Sequence, residues 1–168
     1  MNPENPVING EKRKPAVLDC NAWLYLLSAK DTRLKEKIFE RGYPVIITSY
    51  GVVEILRALK RLSKDIAAGY ASLEEDFWDV CNLTTIQKEF TSVISASLIG
   101  EVQRKPEFRL IAKLLGLEVK DVPYVVTAFQ FDAILVTADV RSILNKRGTM
   151  KQVLGLVIMS LGEFLKEP

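Results

Sequence analysis

Histidine is absent from this 168-residue chain, and only two cysteines occur, Cys20 and Cys81. Without histidine there is no Ser-His-Asp or Cys-His catalysis, no imidazole base and no His-based zinc or iron site. Two distant cysteines make neither a disulfide framework nor a thiolate cluster, and both are expected as buried thiols in a reducing cytosol. Aromatic residues are only 8% of the chain, so base stacking has little visible support. Long apolar runs are missing as well. The stretch LGLVIMSLGEFL contains Glu163 and falls short of the ~18 residues that a membrane span needs. The first residues, MNPENPVINGEKRKP, lack the apolar core of a signal peptide, so a cytoplasmic protein with no membrane contact is expected. Net charge is +2, too small a surplus to identify a partner. Any metal must be held by carboxylates, amides and hydroxyls, donors that suit Mg²⁺ or Mn²⁺.

What is present describes an ordinary globular domain, with 48% hydrophobic and 26% charged residues. Residues 1–14 are polar, contain Pro3, Pro6 and Gly10, and read as a flexible tail before a single domain over 15–168. PAVLD reads as a buried strand, followed by a helix from Ala22 and a second one from Asp31, closed by Gly42 as its C′ residue. PVIIT is β-branched and short, hence another strand. Ser49 is expected to cap the next helix, where Val52, Ile55, Leu56, Leu59, Leu62 and Ile66 share a face. Ser72 and Glu75 fit a capping box for SLEEDFWDVC. Over 82–117 the pattern predicts a brief extended LTTI, a helix near 88–99 and another near 107–115. DVPYVVTAFQF opens as a helix, AILVT is the most strand-like segment, 139–147 reads as a polar helix, and LGLVIMS and GEFLKE as a final strand and helix. Strands alternating with helices predict a mostly parallel sheet inside an α/β/α sandwich.

Four acids stand at element ends: Asp19 after the first strand, Glu54 in the helix after the second, Asp121 opening a helix, and Asp139 after AILVT. In a parallel sheet the ends of distant strands share one edge, so Asp19 and Asp139 can meet in space. Bare carboxylates resist such gathering, because two charges ~4 Å apart repel by about 4 kcal/mol at an effective dielectric near 20. A divalent cation removes that penalty. Each acid also has a plain structural role open to it. Asp19, Asp121 and Asp139 all occupy helix-capping positions, and Glu54 has Arg57 three residues on as an ion-pair partner.

In order, these segments resemble the PIN-domain nucleases. LDCN is similar to that family's Asp-x-Asn opening, and ITSYGVVEILRAL to its Thr-Ser…Glu helix, with Ser49 and Glu54 in the matching places. DVPYVVTAFQFDAILVTAD resembles its third Asp, the helix that follows and the closing Thr-x-Asp, here Thr137 and Asp139. The resemblance spans about residues 16–166. It implies a three-layer α/β/α sandwich and a metal-dependent endoribonuclease, with Asp19, Glu54, Asp121 and Asp139 as catalytic ligands of Mg²⁺ or Mn²⁺. Asn21, Ser49 and Thr137 would orient those ligands. It also implies the toxin of a toxin–antitoxin pair as a role, an antitoxin as a partner, and a homodimer.

Arg57 and Arg61 on the Glu54 helix, and Arg141 after Asp139, are candidate contacts for a single-stranded RNA backbone; a solvated helix face is the alternative. A catalytically inactive PIN-like module that binds RNA or protein is the second reading of the whole chain. A phosphoryl-transfer enzyme of the haloacid-dehalogenase kind ranks last, since DCN supplies one Asp where that chemistry wants an Asp-x-Asp pair.

Overall fold

The computed structural model describes residues 7–8, 11–65, 69–82, 86–89 and 98–167. Within the stretch read as a tail, β1 (Val7–Ile8) pairs antiparallel with β2 (Glu11–Lys12). The main chain path then alternates: β3 (Ala16–Leu18), α1 (Cys20–Ser28), α2 (Arg33–Arg41), β4 (Val45–Thr48), α3 (Ser49–Leu62), α4 (Tyr70–Cys81) and β5 (Ile86–Glu89). It continues through α5 (Leu98–Gln103), α6 (Pro106–Leu115), α7 (Val122–Gln130), β6 (Ile134–Thr137), α8 (Arg147–Leu154), β7 (Ile158–Ser160) and α9 (Leu161–Lys166).

Strands β3 to β7 form one sheet in the order β5-β4-β3-β6-β7, every described pair parallel. The sheet is wound outward from β3 in both directions, so the strand order reverses between β3 and β6. That reversal opens a crevice at the carboxyl ends of the two strands.

The inner strands β3, β4 and β6 are short and apolar because both their faces are covered. Successive side chains point to opposite faces, and the two cores follow this alternation. Ala16, Leu18, Val45, Ile47, Ile134 and Val136 pack with Trp23, Ile55, Phe77 and Phe164 on one side. Val17, Ile46 and Leu135 pack with Tyr50, Val53, Tyr124, Ile143 and Met150 on the other. Leu135 is fully buried, and truncating it to Ala costs about 2–5 kcal/mol by the usual cavity rule. On the first side Lys37 ties α2 to the end of α9, its Nζ donating to the carbonyls of Phe164 (2.6 Å) and Glu167 (2.8 Å).

Local chemistry departs from the sequence reading in several places. Helix α1 begins at Cys20 rather than Ala22, because Asp19 caps it. Gly42 closes α2 with φ 61°, as expected of a C′ glycine. Thr48, not Ser49, caps α3, its hydroxyl accepting from the Gly51 N–H at 3.1 Å; Ser49 is buried in the first turn. Val52, Ile55 and Leu59 face the core as the spacing predicts, while Ile66 lies outside the described residues. Helix α4 starts at Tyr70 with Gly69 ahead of it, so the Ser72–Glu75 box is not used.

The largest departure is in the middle. Strand β5 (86–89) begins at Ile86, the last residue of the expected extended LTTI, and runs into the start of the helix expected near 88–99; 83–85 and 90–97 lie outside the described residues. In place of the helix expected over 139–147, the chain makes turns and a 3₁₀ segment (Leu144–Lys146), and α8 begins only at Arg147. Asp132, at φ 48°, pairs with Lys14 (2.8 Å) on the opposite sheet edge from Asp19. Neither cysteine is in a disulfide. Among the described residues no helix is long and apolar enough to cross a membrane.

Candidate functional site

Strand β3 ends at Leu18, and the next residue must leave the ladder while a helix begins. Asp19 does both. Its N–H still donates to the Val136 carbonyl (3.0 Å), while its Oδ1 accepts from the Ala22 N–H (2.8 Å) as the N-cap of α1. Its Oδ2 accepts from the Thr137 hydroxyl of β6. The capping role and the place at the mouth of the sheet therefore coexist in one carboxylate. Asp19 is buried, and burial pushes its carboxyl up to about 6. The Thr137 and Ala22 hydrogen bonds oppose that rise, and the charges of Asp139 and Glu54 add to it.

Asp19 lines a cavity of about 380 Å³ together with Asn21, Glu54 and Asp121, and with Arg57 and Arg61 along one wall. Asp121 ends a 3₁₀ turn (Val119–Asp121) just before α7. An N-cap carboxylate bonds the N–H of the second or third helical residue, but the second here is Pro123, which has none. Asp121 makes no capping bond, and its Oδ2 is buried with no hydrogen-bond partner. Burial pushes this carboxyl up to about 7; Lys120 beside it pulls down, and Asp19, Glu118 and Glu54 push up.

Glu54 does not form the ion pair with Arg57. Its Oε1 accepts from the Tyr124 hydroxyl (2.7 Å) and its Oε2 from Tyr50 (3.1 Å). The Tyr50 hydroxyl also lies 3.0 Å from the Lys120 carbonyl and accepts from Gln103 Nε2 at 3.2 Å. These bonds aim the carboxylate from α3 toward the cavity. Cys20 lines the same cavity, and burial with the nearby Glu54 charge raises its thiol so far that it stays protonated.

Asp139 behaves differently. It does not line this cavity. Its Oδ1 accepts from the N–H groups of Arg141 (2.9 Å) and Ser142 (3.2 Å), and its Oδ2 from the Ser142 hydroxyl (2.9 Å). Burial favours the neutral form, but these hydrogen bonds outweigh it and hold the carboxyl below its usual range. It remains joined to the cavity through Thr137, whose Oγ1 accepts from the Asp139 N–H at 2.9 Å. Arg141 is exposed on the following turn.

Among the described residues no three His, Cys, Asp or Glu side chains come close enough together to surround one ion. A Mg²⁺ ion needs only one or two carboxylates and takes its remaining ligands from water or phosphate. Asp121, with a buried and unpartnered oxygen, and Asp19, buried with a raised pKa, supply that number of oxygens in one cavity. The donor set and the missing positive charge fit a hard divalent cation.

Sequence reasoning missed Tyr50, Tyr124, Lys120 and Gln103. Tyr50 had a signal, since it stands four residues before Glu54 on one helix, and Lys120 adjoins Asp121. Tyr124 and Gln103 reach Glu54 and Tyr50 from other helices, which no local pattern reports.

The strand order and helix cover are those of a PIN-like α/β/α sandwich, and solved structures share this fold. The chain is similar to PAE2754 from Pyrobaculum aerophilum (TM-score 0.55, 20% identity), over 96% of this chain and 94% of that one. It is also similar to the DNA-bound VapBC from Salmonella typhimurium (TM-score 0.50, 14% identity), over 89% of this chain and 99% of that one. No protein-family model and no curated protein matches the sequence.

Proposed function

We propose that the chain is a metal-dependent endoribonuclease acting on single-stranded RNA in the cytoplasm, with Mg²⁺ or Mn²⁺ as its cofactor. The observation that carries this reading is the buried, unpartnered oxygen of Asp121, a residue that lines the same cavity as Asp19 and Glu54. Asp19 and Asp121 would hold the ion, with Glu54 at its side. When bound, such an ion activates water near neutral pH and stabilises charge on the phosphate under attack. The rest is done by the chain's own groups. Thr137 and the Ala22 N–H fix the Asp19 carboxylate, and Tyr50 and Tyr124 fix Glu54. Asp139 contributes negative charge beside Asp19 and orients Thr137 through its N–H. Arg57 and Arg61 line the wall along which a phosphate backbone would run. Asn21 lines the cavity mouth, Ser49 supports the start of α3, and Arg141 offers an outer cation.

The likeness to VapBC supports a toxin role with an antitoxin partner. A homodimer is supported by an apolar face on α6–α8, where Leu114 is 73% and Val153 64% exposed. On that face Glu107 and Lys113 flank Leu110, so an antiparallel pairing of two α6 helices sets opposite charges together.

Incubating the protein with single-stranded RNA and Mn²⁺, beside Asp19→Asn, tests the activity. Asn caps a helix as well as Asp, so a mere cap predicts unchanged cleavage. A ligand predicts a fall beyond the 10–100-fold typical of supporting residues. A non-cleaving RNA- or protein-binding module is the second reading, favoured by Asp139 turning to its own backbone. RNA binding without cleavage in any divalent ion would select it.

A further inference from the structure

A second cavity, of about 260 Å³, opens over the carboxyl ends of β6 and β7. It is lined by Tyr25, Arg33, Val140, Leu144 and Leu165, and also by Thr137, whose hydroxyl donates to Asp19 in the acidic cavity. One residue thus forms part of the wall of the second cavity and fixes an acid in the first. Helix α1 joins them too: Asn21 lines the acidic cavity, and Tyr25, one turn later on the same helix face, lines the second.

The contents of this cavity suit a flat, uncharged ring. Tyr25 is 55% and Val140 64% exposed, although neighbouring apolar residues such as Leu161 are buried. Arg33 is held flat by Asp31, which accepts from its Nε (3.1 Å) and Nη2 (2.7 Å). That pair cancels the charge and leaves Nη1 as a donor for a ring edge. A phosphate would find no net positive charge here, and a peptide helix would find too little room. Nucleobases stack on tyrosine whatever their identity.

We propose that this cavity holds a nucleobase of the bound strand, next to the phosphate in the acidic cavity, with Tyr25 as its stacking face. The proposal rests on the single-stranded RNA reading above and adds to it a base subsite and the residue that forms it.

The test uses the full chain and a short single-stranded RNA carrying 2-aminopurine at successive positions, in EDTA so that nothing is cut. At one position the wild-type protein should quench the fluorophore. Tyr25→Ala should lose the quenching and bind about tenfold more weakly, and Tyr25→Phe should keep both. An abasic site at that position should weaken wild-type binding and leave Tyr25→Ala indifferent. Tyr25 is exposed, so neither variant threatens folding. Equal affinity and quenching in wild type and Tyr25→Ala would overturn the subsite, as would failure of the wild type to bind the RNA. Quenching that depends on Tyr25, followed by no cleavage on adding Mn²⁺, would uphold the subsite while the nuclease reading fails.

Discussion

Asp121 closes a 3₁₀ turn ahead of α7, Asp139 opens the turn after β6, and the charges of both are felt at Asp19. Their surroundings diverge within two residues. After Asp139 the chain curls so that the N–H groups of Arg141 and Ser142 face the carboxylate, and Ser142 adds its hydroxyl. After Asp121 comes Val122-Pro123, and the proline removes an N–H that a capping carboxylate takes. The first acid is satisfied and charged. The second is buried, unpartnered at Oδ2 and raised to about 7. An unsatisfied buried carboxylate costs stability, and it persists at a cavity where a cation would relieve it. A satisfied one points to local structure.

Cleavage should separate the two acids most widely. Asp121→Asn is expected to lower Mn²⁺-dependent RNA cleavage beyond 100-fold, whereas Asp139→Asn, acting through Thr137 and distant charge, should fall within about 10–100-fold. Equal losses in parallel rate measurements would erase the distinction and make Asp139 a direct ligand.

The pH dependence of metal-free stability should sharpen the same contrast. Asp19 and Asp121 have folded pKa values of about 6 and about 7, above the ordinary 3.8. Their protonation therefore contributes stability that is complete below about pH 4 and is lost as pH rises through 6 and 7. Melting temperature in EDTA should be several degrees higher at pH 5 than at pH 8. Millimolar Mg²⁺ or Mn²⁺ should raise it more at pH 8, where the ligands are deprotonated. Asp121→Asn should flatten the EDTA profile. An unchanged slope in that variant would show that other groups set it.

The smallest effect concerns the local hydrogen bonds of the two acids. Asp139→Ala removes three acceptor contacts and should cost roughly 1 kcal/mol, a fall of about 3 °C in a metal-free melt at pH 7. Asp121→Ala removes an uncompensated charge and should melt at the same temperature or higher. A larger loss in Asp121→Ala than in Asp139→Ala would reverse the assignment of structural and functional acid.

Much of the fold was legible because its signals are local. The short apolar runs at 16–18, 45–48 and 134–137 became neighbouring strands, and Gly42 closed its helix. The middle was not. Strand β5 is polar, IQKE, and lies at the sheet edge, where pairing with β4 rather than its own pattern makes it a strand. At the site, the acids Asp19, Glu54 and Asp121 were visible as residues at element ends. Whether each was a cap, an ion pair or a cavity acid was not, because the deciding partners are distant in sequence.

The sequence by itself determined the class of chemistry available. No histidine and no cysteine cluster leave oxygen donors, and alternating apolar strands and amphipathic helices require a parallel sheet with both faces covered. Tertiary structure decided the roles. Tyr124 reaches Glu54 from α7 and displaces the expected Arg57 pairing, and Thr137 reaches Asp19 across the β3–β6 crevice. Such choices turn on which partner lies within about 3 Å, and that distance exists only once the strands have found their order.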